Sequence, residues 1–308
     1  ETLELAAVAA SFGDGWRGGG HAAYLGGDKV LLSERAPRVP LNGPLDRHFG
    51  KVTIREATTL KTLETYSTHG IDPHEIQLIE GGRYLVAANY GSLPDLKSRD
   101  LTVPRQVIDA SITVIDMRDG SLVDKYRTGA SDIELRHLAS GRLDRIFAIQ
   151  ARLGDDEAVR AVERDAGEVY HFDITTEPGS NYLPAATLRY DAKKKSAMKM
   201  GGRAETAMMR HGLSIIYDEA NDQAIATYPT AHRVMAFDGA SGAVTAVIDT
   251  SRMGLRYPCG IALLPDGVHY AVTGYWENLF IFERRTHRLV RDLCQYPVFF
   301  GHSHISVG

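Results

Sequence analysis

Six times along the chain a short apolar strand pattern opens on the same slot, and five of those slots hold histidine. The copies read Gly20-His21-Ala22-Ala23, Pro73-His74-Glu75-Ile76, Arg136-His137-Leu138-Ala139, Arg210-His211-Gly212-Leu213 and Gly301-His302-Ser303-His304, with cysteine in the slot at Pro258-Cys259-Gly260-Ile261. The unit behind each slot is clearest after His74. There Ile76-Gln77-Leu78-Ile79 leads to a Gly81-Gly82 turn, Tyr84-Leu85-Val86-Ala87-Ala88, a loop, Ile112-Thr113-Val114-Ile115-Asp116, an Asp119-Gly120 turn and Leu122-Val123-Asp124-Lys125-Tyr126. The same order follows His211, with a Ser241-Gly242 turn, and follows Cys259, with Pro265-Asp266-Gly267 as its first turn. Short β-rich runs split by Gly, Asp and Ser turns are hairpin signals. Four strands repeated about every 40–50 residues mark a β-propeller blade, whose faces are buried only by neighbouring blades.

The expected fold is therefore all-β: a β-propeller of four-stranded blades forming one domain over residues 1–308. First strands start near 21, 74, 137, 211, 259 and 302, at spacings of 53, 63, 74, 48 and 43 residues. The excess length is assigned to loops at 91–110, 151–167 and 191–207, with a short helix expected in the charged segment 154–165. Insertions of this size usually serve as functional lids or mobile excursions. Residues 302–308 read as a first strand and residues 2–10 as a last strand, so the two termini are expected to share one blade and close the ring.

Composition narrows the function classes. The 308 residues are 44% hydrophobic and 24% charged, with a net charge of −4 and both signs mixed throughout, so no basic face for nucleic acid is expected. Lys193-Lys194-Lys195 is too short a run to alter that. No stretch approaches the ~20 apolar residues of a transmembrane helix. The chain opens at Glu1 rather than methionine, consistent with removal of a signal peptide and a periplasmic or extracellular location. Cys259 and Cys294 fall on the first and last strands of one expected sheet, roughly 14 Å apart at ~4.8 Å per strand, too far for a disulfide.

In a propeller, first strands line the central axis, so residues in one slot converge. His21, His74, His137, His211, His302 and His304 are the expected metal ligands, and neutral imidazoles suit iron or copper foremost, and zinc. Glu75 and Glu134 flank two of these histidines and are assigned to hold imidazole N–H groups from behind, with Glu75 pointing away from His74 on an alternating strand. Cys259 joins them behind the ring, most simply as a small buried apolar residue. Gly18-Gly19-Gly20 precedes a strand rather than a helix, so it implies no phosphate loop. Nucleophile-elbow, CxxC and haem-attachment patterns are absent.

The run Thr68-His69-Gly70-Ile71-Asp72-Pro73-His74-Glu75-Ile76, followed by Gly82-Arg83-Tyr84-Leu85-Val86-Ala87-Ala88-Asn89-Tyr90-Gly91, resembles the signature of a bacterial propeller family, the domain of unknown function numbered fifteen-thirteen. Ile133-Glu134-Leu135-Arg136-His137-Leu138-Ala139 and Cys259-Gly260-Ile261-Ala262 are similar to later blades of that family, and the resemblance spans about residues 20–300. It implies an exported, seven-bladed propeller, often encoded beside imelysin-type iron-uptake and di-haem peroxidase-like proteins. Partners among periplasmic metal-uptake or redox proteins follow from that setting. The resemblance assigns no activity and no catalytic residue.

Three functions fit the sequence: a metal-binding propeller serving iron or copper acquisition, a metal-dependent oxidase, oxygenase or lyase using an open position on the histidine ring, and a metal-free interaction scaffold. A substrate cavity beside the metal separates the second from the first.

Overall fold

The computed structural model describes residues 7–8, 15–36, 49–91, 107–153, 182–275, 277–299 and 304–305. Within them the chain forms five four-stranded antiparallel sheets, each ordered as the chain runs. The first holds β1 (Arg17–Gly26), β2 (Lys29–Arg35), β3 (Gly50–Glu56) and β4 (Thr62–Ser67). The second holds β5 (Pro73–Ile79), β6 (Tyr84–Asn89), β7 (Ser111–Asp116) and β8 (Ser121–Arg127). In the third are β9 (Ile133–Arg142), β10 (Arg145–Arg152), β11 (Leu188–Asp191) and β12 (Ser196–Lys199). The fourth comprises β13 (Ser214–Asp218), β14 (Gln223–Tyr228), β15 (Arg233–Asp238) and β16 (Val244–Asp249). The fifth comprises β17 (Pro258–Leu263), β18 (His269–Gly274), β19 (Glu277–Glu283) and β20 (Gln295–Phe299). One four-residue helix, α1 (Arg203–Thr206), precedes the fourth sheet.

The turn residues named from sequence do the expected work. Gly81, Gly82, Gly120, Gly242 and Gly267 all take positive φ, the region that an L side chain resists and glycine enters freely. Burial then follows strand position. All six residues of β7 and of β14 are buried, including polar Ser111, Thr113 and Gln223, so middle strands are covered on both faces. Last strands are wet: β4 exposes its first four residues and β8 its first three.

Two compact units divide the chain, Glu1–Arg136 and His137–Gly308. In the first unit, Leu31, Val52 and Ile54 of the first sheet pack with Ile76, Leu85, Ala87 and Ile115 of the second. Leu31 is fully buried, a burial that stabilises by about 1.5–3 kcal/mol. In the second unit, Phe147 and Ile149 join Ile215, Ala226, Tyr228 and Met235 between the third and fourth sheets. A further cluster of Ile225, Val234, Tyr270, Val272 and Phe282 joins the fourth sheet to the fifth.

Sheets expected over 74–128 and 211–250 are present as β5–β8 and β13–β16. Several expectations are corrected. Segment 191–207 is not a free loop: it holds the end of β11, the turn carrying Lys193-Lys194-Lys195, all of β12 and α1. His211 does not open a strand. It sits three residues before β13 at φ 53°, in a left-handed turn conformation. His304 and Ile305, the described part of the expected final first strand, carry no strand pairing. Apart from residues 7–8 and 304–305, the terminal blade at 2–10 and 302–308 lies outside the described residues, as do His302, all of the expected helix at 154–165 and most of the first two expected loops.

Candidate metal centre

The first unit brings His21 and His74 together. Their imidazoles stand edge to face with ring centroids 4.9 Å apart, and each offers a ring nitrogen within 4.8 Å of the other's. Both are aimed by irregularities in their strands. Between Gly18 and Ala22 of β1 four residue steps face two on β2, and between Pro73 and Ile76 of β5 three steps face two on β6. Such bulges break strict alternation and redirect side chains, which is why they gather beside functional sites. The first strand of the fifth sheet carries the same device, between Pro258 and Ile261, around Cys259.

Glycines let the two strands approach. A Cβ on Gly19 would stand 2.1 Å from the Pro73 carbonyl oxygen, and one on Gly20 would stand 2.3 Å from His74 Nδ1. Gly20 has φ +150°, a conformation open in practice to glycine. His74 Nδ1 lies 3.0 Å from the Gly19 carbonyl oxygen. A carbonyl only accepts, so Nδ1 carries the proton and Nε2 carries the lone pair, the tautomer a metal ligand needs. Ser33 fastens both strands: its hydroxyl lies 3.1 Å from the His21 carbonyl and 3.3 Å from the His74 carbonyl, and accepts the His21 amide at 3.3 Å.

Glu75 reaches His21, with Oε2 3.5 Å from Nδ1. The carboxylate thus stands beside the imidazole of a neighbouring strand. Tyr90 packs on His74 at 4.7 Å between ring centroids. Arg136 lies over the Tyr90 ring at 5.5 Å and pairs with fully buried Glu134 at 3.1 Å. Glu134 is thus placed on an arginine. Sequence reasoning missed Tyr90, Ser33 and the glycines. The signal for the glycines was present, since a triple glycine entering a strand marks close backbone approach.

The second unit holds the remaining described histidines of the slot. His137 is buried and its ring centroid lies 5.0 Å from that of His304. His211 is buried as well, stacked on Tyr182 at 4.6 Å and 8° between planes. Arg210 Nε donates to the Tyr182 carbonyl at 3.3 Å, and Arg210 bridges Pro184, which fixes that stack. Cys259 is fully buried with Tyr257 and Tyr275, Leu213 packing against them, and Thr227 Oγ1 donates to its carbonyl at 2.6 Å. Burial, and secondarily the Cys259 sulfur, push the Tyr275 phenol pKa up. Cys259, on β17, and Cys294, which lies one residue ahead of β20 rather than on it, are both free thiols.

Paired imidazoles on bulged first strands, with a carboxylate and a carbonyl behind them, define a repeated-sheet all-β protein with a nitrogen-rich donor cluster. The chain belongs to the family described as Protein of unknown function (DUF1513), whose profile matches residues 42–299. The matched stretch contains His74, Glu75, Glu134, His137, His211 and Cys259, while His21 and His304 lie outside it. No curated protein matches the chain. Among the described residues, no helix is long and apolar enough to cross a membrane.

Proposed function

We propose that the protein binds a transition metal ion, iron or copper foremost, and serves in metal acquisition or handling outside the cytoplasm. The observation that carries this reading is the His21–His74 pair, with His74 held by the Gly19 carbonyl in the tautomer that presents Nε2. Two imidazoles with a carboxylate close behind suit a borderline divalent ion and leave coordination positions for other donors. The repeat register of the sequence names His137 as the next donor, with His211, His302 and His304 after it. We further propose that the sheets are blades of a single propeller, seven-bladed as the family resemblance implies.

The test is metal analysis of the purified full chain, followed by titration with Co(II), whose visible absorption reports imidazole ligation. The expected result is about one ion per chain, with affinity reduced at least tenfold in His74→Ala and His21→Ala and unchanged in His269→Ala. His269 is a suitable control because it stands outside the repeated histidine slot and bonds Asp266 at 2.6 Å. A chain that binds no metal, or binds it equally well in all three variants, sinks the proposal and leaves the scaffold reading.

A further inference from the structure

A hydrogen bond at one ring nitrogen does not fix an imidazole. The torsion that turns a histidine ring is broad and roughly two-fold, so the contact of His74 Nδ1 with the Gly19 carbonyl at 3.0 Å leaves the ring plane room to swing. A neighbour on the face of the ring closes that freedom. Tyr90 lies there, with its ring centroid 4.7 Å from that of His74 and the two planes at 56°.

Tyr90 is itself firmly mounted. Its amide donates to the Asp72 carbonyl at 2.9 Å, and the next amide, of Gly91, donates to the Ile71 carbonyl at 3.0 Å. Gly91 takes φ +75°, and a Cβ there would stand 2.0 Å from the Ala110 nitrogen, so the turn behind the tyrosine admits glycine only. Over the ring lies the Arg136 guanidinium, 5.5 Å from the centroid. A planar cation stacks on an aromatic face, and this one is buried and anchored, its Nη2 3.1 Å from Oε2 of fully buried Glu134. Glu134, Arg136, Tyr90 and His74 thus form one packed series within the first unit.

The second unit repeats the device. Pro73 pairs with Asn89, the last residue of β6, and Pro258 pairs with Gly274, the last residue of β18. In each sheet the residue after the proline fills the slot, as His74 or Cys259, and the residue after its strand partner is a tyrosine, Tyr90 or Tyr275. Antiparallel register sets each tyrosine one diagonal step from the slot residue, within reach of an aromatic side chain. Tyr275 does share a buried cluster with Cys259. Two sheets with different slot residues keep the same ring beside them, so the ring belongs to the slot and not to His74 alone.

We propose that Tyr90 is a positioning residue of the metal centre: its ring holds the His74 imidazole in the plane that keeps Nδ1 on Gly19 and presents Nε2. This deepens the metal reading and rests on it. The role belongs to the ring, whatever the hydroxyl also bonds. Groups that orient a metal-bound histidine are typically worth about 10- to 100-fold in metal affinity.

The test compares Tyr90→Phe, which keeps the ring, with Tyr90→Leu, which removes it, in the full chain. Tyr90→Met takes the place of the leucine variant if that one does not fold. Nitrogen-15 NMR of the metal-free chain reads the His74 tautomer, its signal assigned by loss in His74→Ala. Co(II) titration reads affinity and, at saturation, the visible absorption of the bound ion. The parent and Tyr90→Phe should hold a single tautomer, Nδ1–H, and bind Co(II) alike. Tyr90→Leu should mix the tautomers, weaken Co(II) binding about tenfold and change the absorption of the saturated chain, which a loss of stability alone does not do. If Tyr90→Leu keeps the parental tautomer, affinity and spectrum, or if Tyr90→Phe loses as much as Tyr90→Leu, the proposal is overturned. A parent chain that binds no Co(II), while its His74 tautomer still follows the Tyr90 variants, overturns the metal reading alone.

Discussion

Replacing Gly20 by alanine tests how the His74 imidazole is held. The added Cβ would meet His74 Nδ1 at 2.3 Å, Cε1 at 2.6 Å and Cγ at 3.1 Å, so the ring has to leave its seat. Leaving forfeits the hydrogen bond to Gly19, worth about 0.5–1.5 kcal/mol. The φ of +150° adds strain of about 1–3 kcal/mol for any residue with a side chain. Together Gly20→Ala should destabilise by about 2–4 kcal/mol. The control is Gly27→Ala in the β1–β2 turn, where φ is +60° and nothing lies within 4 Å of the added methyl. It bears only the backbone cost, about 1–2 kcal/mol. Urea unfolding of both variants measures the difference, and Co(II) titration should show about a 10- to 100-fold loss of affinity in Gly20→Ala alone. If Gly20→Ala is no less stable than Gly27→Ala and binds Co(II) as the parent does, then the Gly19–His74 contact does not organise the site.

Arg55→Met should be strongly destabilising. It strips Glu34, which is fully buried, of an ion pair at 2.9 Å, though Lys51 remains at 3.2 Å. Breaking one partner of a buried pair costs about 3–5 kcal/mol, and retained Lys51 places the expected loss at the lower end. Measured urea midpoints should show Glu34→Gln with Arg55→Met recovering part of it, and an undiminished loss in the double variant would contradict the pairing. Burial holds the His287 pKa below its ordinary value, the ring lying beside Tyr270 with Nδ1 3.3 Å from the hydroxyl. As pH falls through about 6.5 the unfolded chain takes up that proton before the folded one, so stability drops toward lower pH. His287→Gln should flatten the fall in urea midpoint between about pH 6.5 and 5, and an unaltered slope counts against the assignment.

Strands and turns were legible because their physics is local. Short β-branched runs such as Ile112–Asp116 or Val244–Ile248, next to glycines that take positive φ, admit few other structures. The third sheet was obscured because β11 and β12 are four residues each and meet through a lysine-rich turn that reads as solvent-facing loop. His211-Gly212-Leu213 looked like the other strand openings, yet φ 53° at His211 makes it a turn, a choice set by packing on Tyr182. The His21–His74 pairing was visible as a shared slot. Its geometry was not, since alternation does not say where a bulge inserts a residue. Tyr90 escaped because it lies just past the end of β6, and its contact with His74 is made across the sheet.

The connection from second to third strand differs sharply among the sheets. It spans residues 36–49 in the first, 90–110 in the second and 153–187 in the third, but only 229–232 and 275–276 in the fourth and fifth. The three long connections belong to the sheets whose first strands carry His21, His74 and His137. They depart from the end of the second strand that pairs with the start of the first, as Asn89 does with Pro73. Loop closure penalises length only logarithmically, about 0.6 kcal/mol per doubling. Relatives of this chain can therefore lengthen, shorten or recompose these connections while every ladder keeps its register. Length differences within the family should be written as insertions and deletions in that one slot, against a framework that records hardly any.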